Sequence, residues 1–293
     1  MPSLEFTLMV GCPLKCTFCP QDKLRGMYGK ETKYFTLDAF TQIVSKVPKH
    51  VRIDFSGMAE PWANPDATEM LRHVLVEGYN IAVYTTLYGM ERTDCAQVVD
   101  MLRRHAQQVE VVCLHLPDRH GNMRGWKYNA DYEANLRDFI ALAMERVLPR
   151  FEVMTMDDKG KPHQDLDHLG IQLGPWIGHT RAGNIGPDNV PGQKIYIMPR
   201  HDSAVSCSFT RFYDQNVCLP NGDVVLCCMD YGMQHKIGNL LEQDYYEMFA
   251  SKGIGSLMAE NMRPRFSNDS LCKTCNRAVL HGQKGGNLLW QPV

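Results

Sequence analysis

No apolar run in the chain approaches the roughly 18 residues that a membrane-spanning helix needs. The N-terminal MPSLEF lacks the charged stretch and apolar core of a secretory signal. Excess charge of either sign is missing too. Lys and Arg number 31 against 33 Asp and Glu, a formal net charge of −2, with no basic stripe and no acidic tail. Strong non-specific affinity for nucleic acid or a membrane surface is therefore not indicated. There is no internal repeat or low-complexity segment, and no G-x-G-x-x-G follows the first strand, so a dinucleotide fold has no specific support. What remains is a soluble, cytoplasmic protein of ordinary globular composition, 44% apolar and 22% charged.

Cysteine, by contrast, is abundant, at 11 residues. In a reducing compartment a disulfide framework is disfavoured, and metal or redox chemistry is the better reading. The distribution agrees. Cys12, Cys16 and Cys19 cluster near the start, Cys207, Cys218, Cys227, Cys228, Cys272 and Cys275 fall late, and Cys95 and Cys113 stand alone, as core residues do.

At 293 residues the chain divides naturally into one large domain and one small one. Strand patterns at 4–10, 51–57, 80–86, 109–116 and 151–157 alternate with helical patterns at 37–47, 67–78, 95–106 and 130–147. This is the grammar of βα units and a parallel sheet, open or closed into a barrel. Beyond residue 158 a connector rich in Gly, Pro, Asp and His follows. NVCLPNGDVVLCC (216–228) then carries a hairpin signal around Pro-Asn-Gly-Asp, and 240–250 reads as a short helix.

The stretch GCPLKCTFCPQ (11–21), at the end of the first strand, offers three thiols in a CxxxCxxC spacing. A cubane iron–sulfur cluster has four irons, each wanting a terminal ligand, usually a thiolate. Three cysteines leave one iron open, which is how a protein presents a metal to an exogenous ligand. A zinc loop completed elsewhere is the alternative that spacing leaves. Parallel βα folds place active sites at this end of their strands.

Cys12-Pro-Leu-Lys-Cys16-Thr-Phe18-Cys19 resembles the CxxxCxφC signature of the radical S-adenosylmethionine (SAM) superfamily, with Phe18 as the aromatic φ. The resemblance implies a partial (β/α)6 TIM-like barrel over 1–175. It also implies SAM chelating the open iron of a 4Fe–4S cluster and being cleaved to a 5′-deoxyadenosyl radical that abstracts a hydrogen atom from substrate. In the same resemblance, Gly57, Met58, Ala59 and Glu60 of FSGMAEP occupy the place of the motif that binds the SAM amino group. Thr85 and Thr86 of TTLYG line the SAM pocket, and Arg124 of RHGNMRG faces its carboxylate. Many relatives place a serine near the ribose where this chain has His115-Leu116-Pro117-Asp118, so His115 is the candidate there and the ribose contacts are left open.

The C-terminal third, with Gly222 five residues before Cys227 and a closing CKTC, resembles the twitch form of the SPASM auxiliary domain. That resemblance implies a small α+β domain over 206–293, after a connector at 176–205. A second 4Fe–4S cluster would sit on Cys207, Cys227, Cys272 and Cys275. Structural zinc, or a ligand role for Cys218 or Cys228, are alternatives. Strand alternation puts Cys227 and Cys228 on opposite sides, so that one could face a cluster and the other the active site.

A fully ligated second cluster suits electron transfer. The expected reaction is hydrogen abstraction from a small polar substrate such as a sugar or aminocyclitol, oxidising an alcohol to a ketone with the auxiliary cluster as acceptor. A flavodoxin- or ferredoxin-type donor would supply the reducing electron. Candidates on the substrate side are Arg181 and Asn184 of HTRAGN, Tyr88, and His179 as proton acceptor. A redox-neutral epimerase, dehydratase or isomerase with Cys228 or Cys113 returning a hydrogen atom is the alternative. A peptide maturase is less favoured because the first strand starts at residue 4, and a nucleobase-modifying enzyme has no help from net charge. A plain iron–sulfur electron carrier would not need the Glu60 motif.

Overall fold

In LEF, RIDF and IAVYT, successive side chains must point to opposite faces of a sheet, and the large aliphatic and Phe side chains fall on the same face. The computed structural model describes residues 1–30, 32–157, 159–171, 173–174, 180–186, 199–210 and 212–281. Its strands are β1 (Ser3–Phe6), β2 (Lys15–Cys16), β3 (Arg52–Phe55), β4 (Ile81–Thr85), β5 (Val109–Leu116) and β6 (Met123–Arg124), followed by β7 (Phe151–Thr155), β8 (Ala204–Cys207), β9 (Gln215–Cys218), β10 (Asp223–Val225), β11 (Lys236–Asn239) and β12 (Ala278–His281). The helices are α1 (Gln21–Tyr28), α2 (Leu37–Val44), α3 (Ala67–Val76), α4 (Arg92–Arg104), α5 (Ala130–Met144) and α6 (Lys252–Asn261). None is long and apolar enough to cross a membrane among the described residues.

Eight strands form one mixed sheet in the order β11-β10-β9-β1-β3-β4-β5-β7. The run from β1 to β7 is parallel, each strand followed by one of the helices α2 to α5 until β7. Thr36 and Asn129 cap α2 and α5 by accepting Ala39 N–H at 3.2 Å and Tyr132 N–H at 2.7 Å. Leu4, Phe6, Ile53, Phe55, Ile81 and Val83 are fully buried against the helices. Each contributes about 1.5–3 kcal/mol by leaving water. The opposite face carries Glu5, Asp54, Tyr84, Cys113, His115 and Met154 by the same alternation, and it is this face that builds the site.

The structure departs from the sequence pattern in three places. The first strand stops at Phe6, and residues 8–10 turn away to pair with 33–35. The helix read at 240–250 is only a 3-10 turn, Tyr245–Met248, and the true helix α6 follows it. Asn239 explains this: its side chain accepts Leu241 N–H and its carbonyl accepts Gln243 N–H, holding the backbone in a turn. The C-terminal hairpin, read as part of a separate small domain, instead extends the main sheet. β9 runs parallel to β1 with Phe6 opposite Cys218, covering the edge that β1 would otherwise expose.

Candidate active site

The chain leaves β1 into the cysteine loop, and that loop needs a partner to hold its shape. RHGNMRG supplies it. β2 pairs with β6, Cys16 opposite Met123, and Thr17 donates its backbone N–H to Asn122 O at 2.9 Å and its hydroxyl to Asn122 Oδ1 at 2.6 Å. The buried Asp118 carboxylate in turn accepts from His120 N, Asn122 N and Asn122 Nδ2. Arg124, expected to face a SAM carboxylate, is exposed on this ribbon opposite Lys15 and does not line the cavity. The stretch clamps the loop through its backbone and Asn122.

Cys12, Cys16 and Cys19 gather with buried Phe18 around a cavity of about 100 Å³. Burial pushes the Cys12 thiol up to about 11, with the charges of Glu60 and Cys19 adding to it. Cys16 is raised by burial and then by Cys19 and Cys12. With Cys12 and Cys16 held back from ionising by burial and by neighbouring charge, the site is one that a cationic centre would satisfy, taking up thiolates and releasing protons.

Glu60 shapes the next wall. One carboxylate oxygen accepts from the Thr85 hydroxyl at 2.6 Å and from Trp62 N–H at 3.2 Å, and the other from Thr86 N–H and hydroxyl, both at 2.7 Å. The three residues that the motifs singled out separately therefore form one unit. An ammonium at this wall meets a carboxylate already holding four hydrogen bonds, so Glu60 acts first as the clamp joining the loops after β3 and β4. Gly57 and Met58 line the cavity beside it, and Met58 O accepts the Gln21 side-chain amide. Gly57 has φ +72°, and a Cβ there would stand 2.4 Å from Thr7 Oγ1 and 2.9 Å from Thr7 N. Gly57→Ala is expected to cost about 2–4 kcal/mol through left-handed strain and the clash with backbone, measured as a lowered denaturant midpoint at unchanged m-value.

Above this wall lies the turn at residues 180–185. Arg181 and Ala182 adopt φ of 48° and 51°, a left-handed conformation that L-residues resist. The turn is held from the C-terminal region: Thr180 bonds Asn276 Oδ1 through N–H at 2.9 Å and hydroxyl at 2.6 Å, and the Thr274 hydroxyl donates to Ala182 O at 3.0 Å. Asn184, read as a substrate contact, is spent on this scaffold, accepting Lys23 Nζ and donating to Arg181 O and Met229 O. His179 lies outside the described residues. Tyr88 packs on the cysteine loop and lines a second, larger cavity of about 890 Å³ with Trp126.

Arg181 reaches the cavity, where its charge faces Tyr231, Cys19, Cys228 and Glu5. Glu5 is a residue that motif reading missed. Ser56 Oγ donates to its carboxylate at 2.9 Å and Gly57 N–H at 3.2 Å, and the Cys228 thiol is near enough to favour its charged form. Burial raises its pKa above 4.5, against those donors and Arg181. Burial first, then Arg181, lowers His115 to about 4, leaving a neutral imidazole at physiological pH. Glu5, Tyr84, His115, Arg181 and Cys228 are all only partly buried by area although protein surrounds them, as expected of side chains lining an internal space. Sequence did carry one signal: LEF and IDF put carboxylates inside strands whose neighbours are apolar.

The remaining thiols form a second set. Cys207 on β8 sits opposite Ala278 of β12, Cys272 lies within a 3-10 turn capped by Ser270 and Cys275 ends it, and Cys227 follows β10. These four, and Cys228 with them, share one apolar cluster with Tyr213, Leu226 and Leu271. Gly222, at φ +81°, is required where a Cβ would meet Asn239 Oδ1 at 2.5 Å. Cys218 is fully buried in the main core, and Cys95 and Cys113 are also buried. Cys228 lies past the strand end in a turn, where strand alternation does not apply; it packs in the same cluster as Cys227 and also feels the charge of Glu5. Among the described residues no three His, Cys, Asp or Glu side chains form a set for a single metal ion.

Residues 207–276 match the family model described as SPASM, an iron–sulfur cluster-binding domain. The fold is similar to that of BtrN in complex with AdoMet and 2-DOIA, with a TM-score of 0.59 at 15% identity over 94% of this chain and 93% of that one. BtrN in an open conformation gives 0.53 at 13% identity, over 94% and 92%. Native anSMEcpe with bound AdoMet gives 0.52 at 12%, over 94% and 86%. No curated protein matches the sequence. Fold and matched domain first define an α/β protein carrying a C-terminal iron–sulfur module. The three-cysteine loop beyond β1 lies in a fold similar to those of BtrN and anSMEcpe, each seen with AdoMet bound, and residues 207–276 match an iron–sulfur cluster-binding domain.

Proposed function

We propose that the protein oxidises a secondary alcohol of a small polyhydroxylated or amino-substituted substrate to a ketone, passing the second electron to an auxiliary cluster. The observation that carries this reading is the placement of Glu5. It is a carboxylate enclosed by protein that accepts from Ser56 and Gly57 and whose ionisation is felt by Arg181 and by Cys228, next in sequence to Cys227 of the second thiol set. Cys12, Cys16 and Cys19 would hold the SAM-binding cluster, and Cys207, Cys227, Cys272 and Cys275 the auxiliary one. The anionic wall of Glu60 and thiols suits the ammonium and sulfonium of SAM. At about 100 Å³ the cavity is below the roughly 300–1,000 Å³ of small-molecule sites, so admitting a nucleotide requires the surrounding loops to part.

When bound, SAM and its cluster supply hydrogen-atom abstraction from an unactivated carbon. Glu5 takes the hydroxyl proton, Arg181 orients the oxygen and steadies its developing charge, and neutral His115 offers a hydrogen bond without adding charge. His179, whose position is not described, gives up the proton-acceptor role to Glu5 in this reading. The N-terminal parallel run is taken as part of a (β/α)6 barrel whose sixth position begins where Gly174 bridges Met154. A cytoplasmic location and a flavodoxin- or ferredoxin-type donor belong to the same proposal.

One observation favours a second reading: the Cys228 thiol, its pKa raised by burial and by Glu5, stays protonated in the same space and could return a hydrogen atom. Anaerobic turnover of reconstituted protein with candidate sugars and cyclitols in heavy water separates the two. Ketone without solvent deuterium in recovered substrate supports oxidation. Deuterium at carbon without ketone supports the redox-neutral enzyme and ends the dehydrogenase proposal.

A further inference from the structure

The C-terminal region reaches the first cysteine loop through the side chain of Tyr231. Asp230, next in sequence to Tyr231, receives Gln234 N–H and His235 N–H, both at 2.8 Å, and its own N–H bonds Cys227 O at 3.0 Å. This fixes the turn that leaves the auxiliary thiols. Tyr231, four residues after Cys227, is 1% exposed and packs its ring among Val10, Leu24 and Met58. Its hydroxyl points at Cys19, with Oη 3.7 Å from Sγ, within reach of a hydrogen bond to sulfur. Arg181 stands over the same ring at 5.7 Å from its centroid, and its Nε donates to Phe18 O at 3.4 Å. A phenol buried among apolar side chains needs a partner for its O–H, and the ligand sulfur is the partner it has.

We propose that Tyr231 donates a hydrogen bond to the Cys19 ligand sulfur, and that this bond sets the reduction potential of the N-terminal cluster. Donation to a thiolate ligand stabilises the reduced, more negative cluster, so it raises the potential. Tyr231 is thus a positioning residue supplied by the auxiliary turn, and the two thiol sets are joined by it as well as by the cavity. The inference rests on the reading of Cys12, Cys16 and Cys19 as cluster ligands.

The test is Tyr231→Phe in the anaerobically reconstituted protein, which keeps the ring and its packing and removes only the donor. Redox titration followed by electron paramagnetic resonance is expected to show the N-terminal cluster at a more negative midpoint, the auxiliary cluster unmoved, and iron content equal to wild type. An exchangeable proton coupled to the reduced cluster, seen after transfer to heavy water, should disappear in the variant. An unchanged N-terminal potential, equal shifts of both clusters, or loss of the N-terminal irons would each overturn the proposal. A triple alanine variant at Cys12, Cys16 and Cys19, run in parallel, isolates the underlying reading. If it keeps wild-type iron and signal, the loop is not the ligand set, whatever Tyr231 does.

Discussion

Alanine at Cys12, Cys16 and Cys19 together is expected to remove about four irons per chain, half of the total if both thiol sets carry a cubane, and to bring SAM cleavage to background. The three sulfurs stand around one cavity with Glu60, Thr85 and Thr86 on its far wall. Among the described residues no other cysteine joins them in the surrounding apolar cluster. The remaining irons should stay on Cys207, Cys227, Cys272 and Cys275, whose cluster of side chains is built by β8, β12 and the capped turn at Ser270 without help from the N-terminal loop. Iron and sulfide analysis of anaerobic preparations measures both numbers. The buried thiols add a pH effect. With Cys12 pushed up to about 11 and Cys16 also raised, each ligand must lose a proton to bind metal. Cluster loading should therefore improve as reconstitution pH rises, and an iron content unaffected by the triple substitution would remove the basis of the assignment.

The elements that position this site were legible because they obey local rules. The 109–116 strand is found at its expected limits, the helices at 67, 95 and 130 appear within a few residues of theirs, and the hairpin turns at Pro-Asn-Gly. Periodicity and caps are properties of neighbouring residues, so sequence carries them. The thiols were legible for a different reason, since their spacing is itself the chemistry. What could not be read is long-range pairing. Nothing local says that Asn122 holds Thr17, that the hydroxyls of Thr85 and Thr86 close on Glu60, or that β9 lies beside β1. Arg124 illustrates the cost: its type suits a carboxylate, but register with Lys15 leaves it outside the cavity. Asn184 was drawn toward substrate by its polarity and is consumed by backbone carbonyls. Glu5 went unnoticed because a charged residue in an apolar strand invites the assumption that it points to water, and only the sheet order turns that face inward.

Glu5→Gln is expected to lower ketone formation by about 10²–10⁴-fold, the usual worth of a positioned proton acceptor, while iron content and SAM binding stay at wild-type levels. Glutamine keeps the shape and can still accept from Ser56 and Gly57, so the loss isolates basicity. In the wild-type enzyme the rate should fall on the acid side as Glu5 takes up a proton, at a pH above the 4.5 of an ordinary glutamate because burial disfavours its charge. The variant should lose that limb. Stability should move the other way. Because the folded pKa lies above the unfolded one, the native state holds a proton that the unfolded chain has released, and stability falls as pH rises from 4.5 through the folded value. Above the folded value the ionised carboxylate is thus a burden on the fold, which Gln relieves. Glu5→Gln should melt no lower than wild type at pH 7, with a flatter dependence of melting temperature on pH, measured by scanning calorimetry on anaerobic holoenzyme. A variant that turned over normally would show that the proton leaves by another route, and one that melted lower would show that the charge is held by its partners more firmly than burial opposes it.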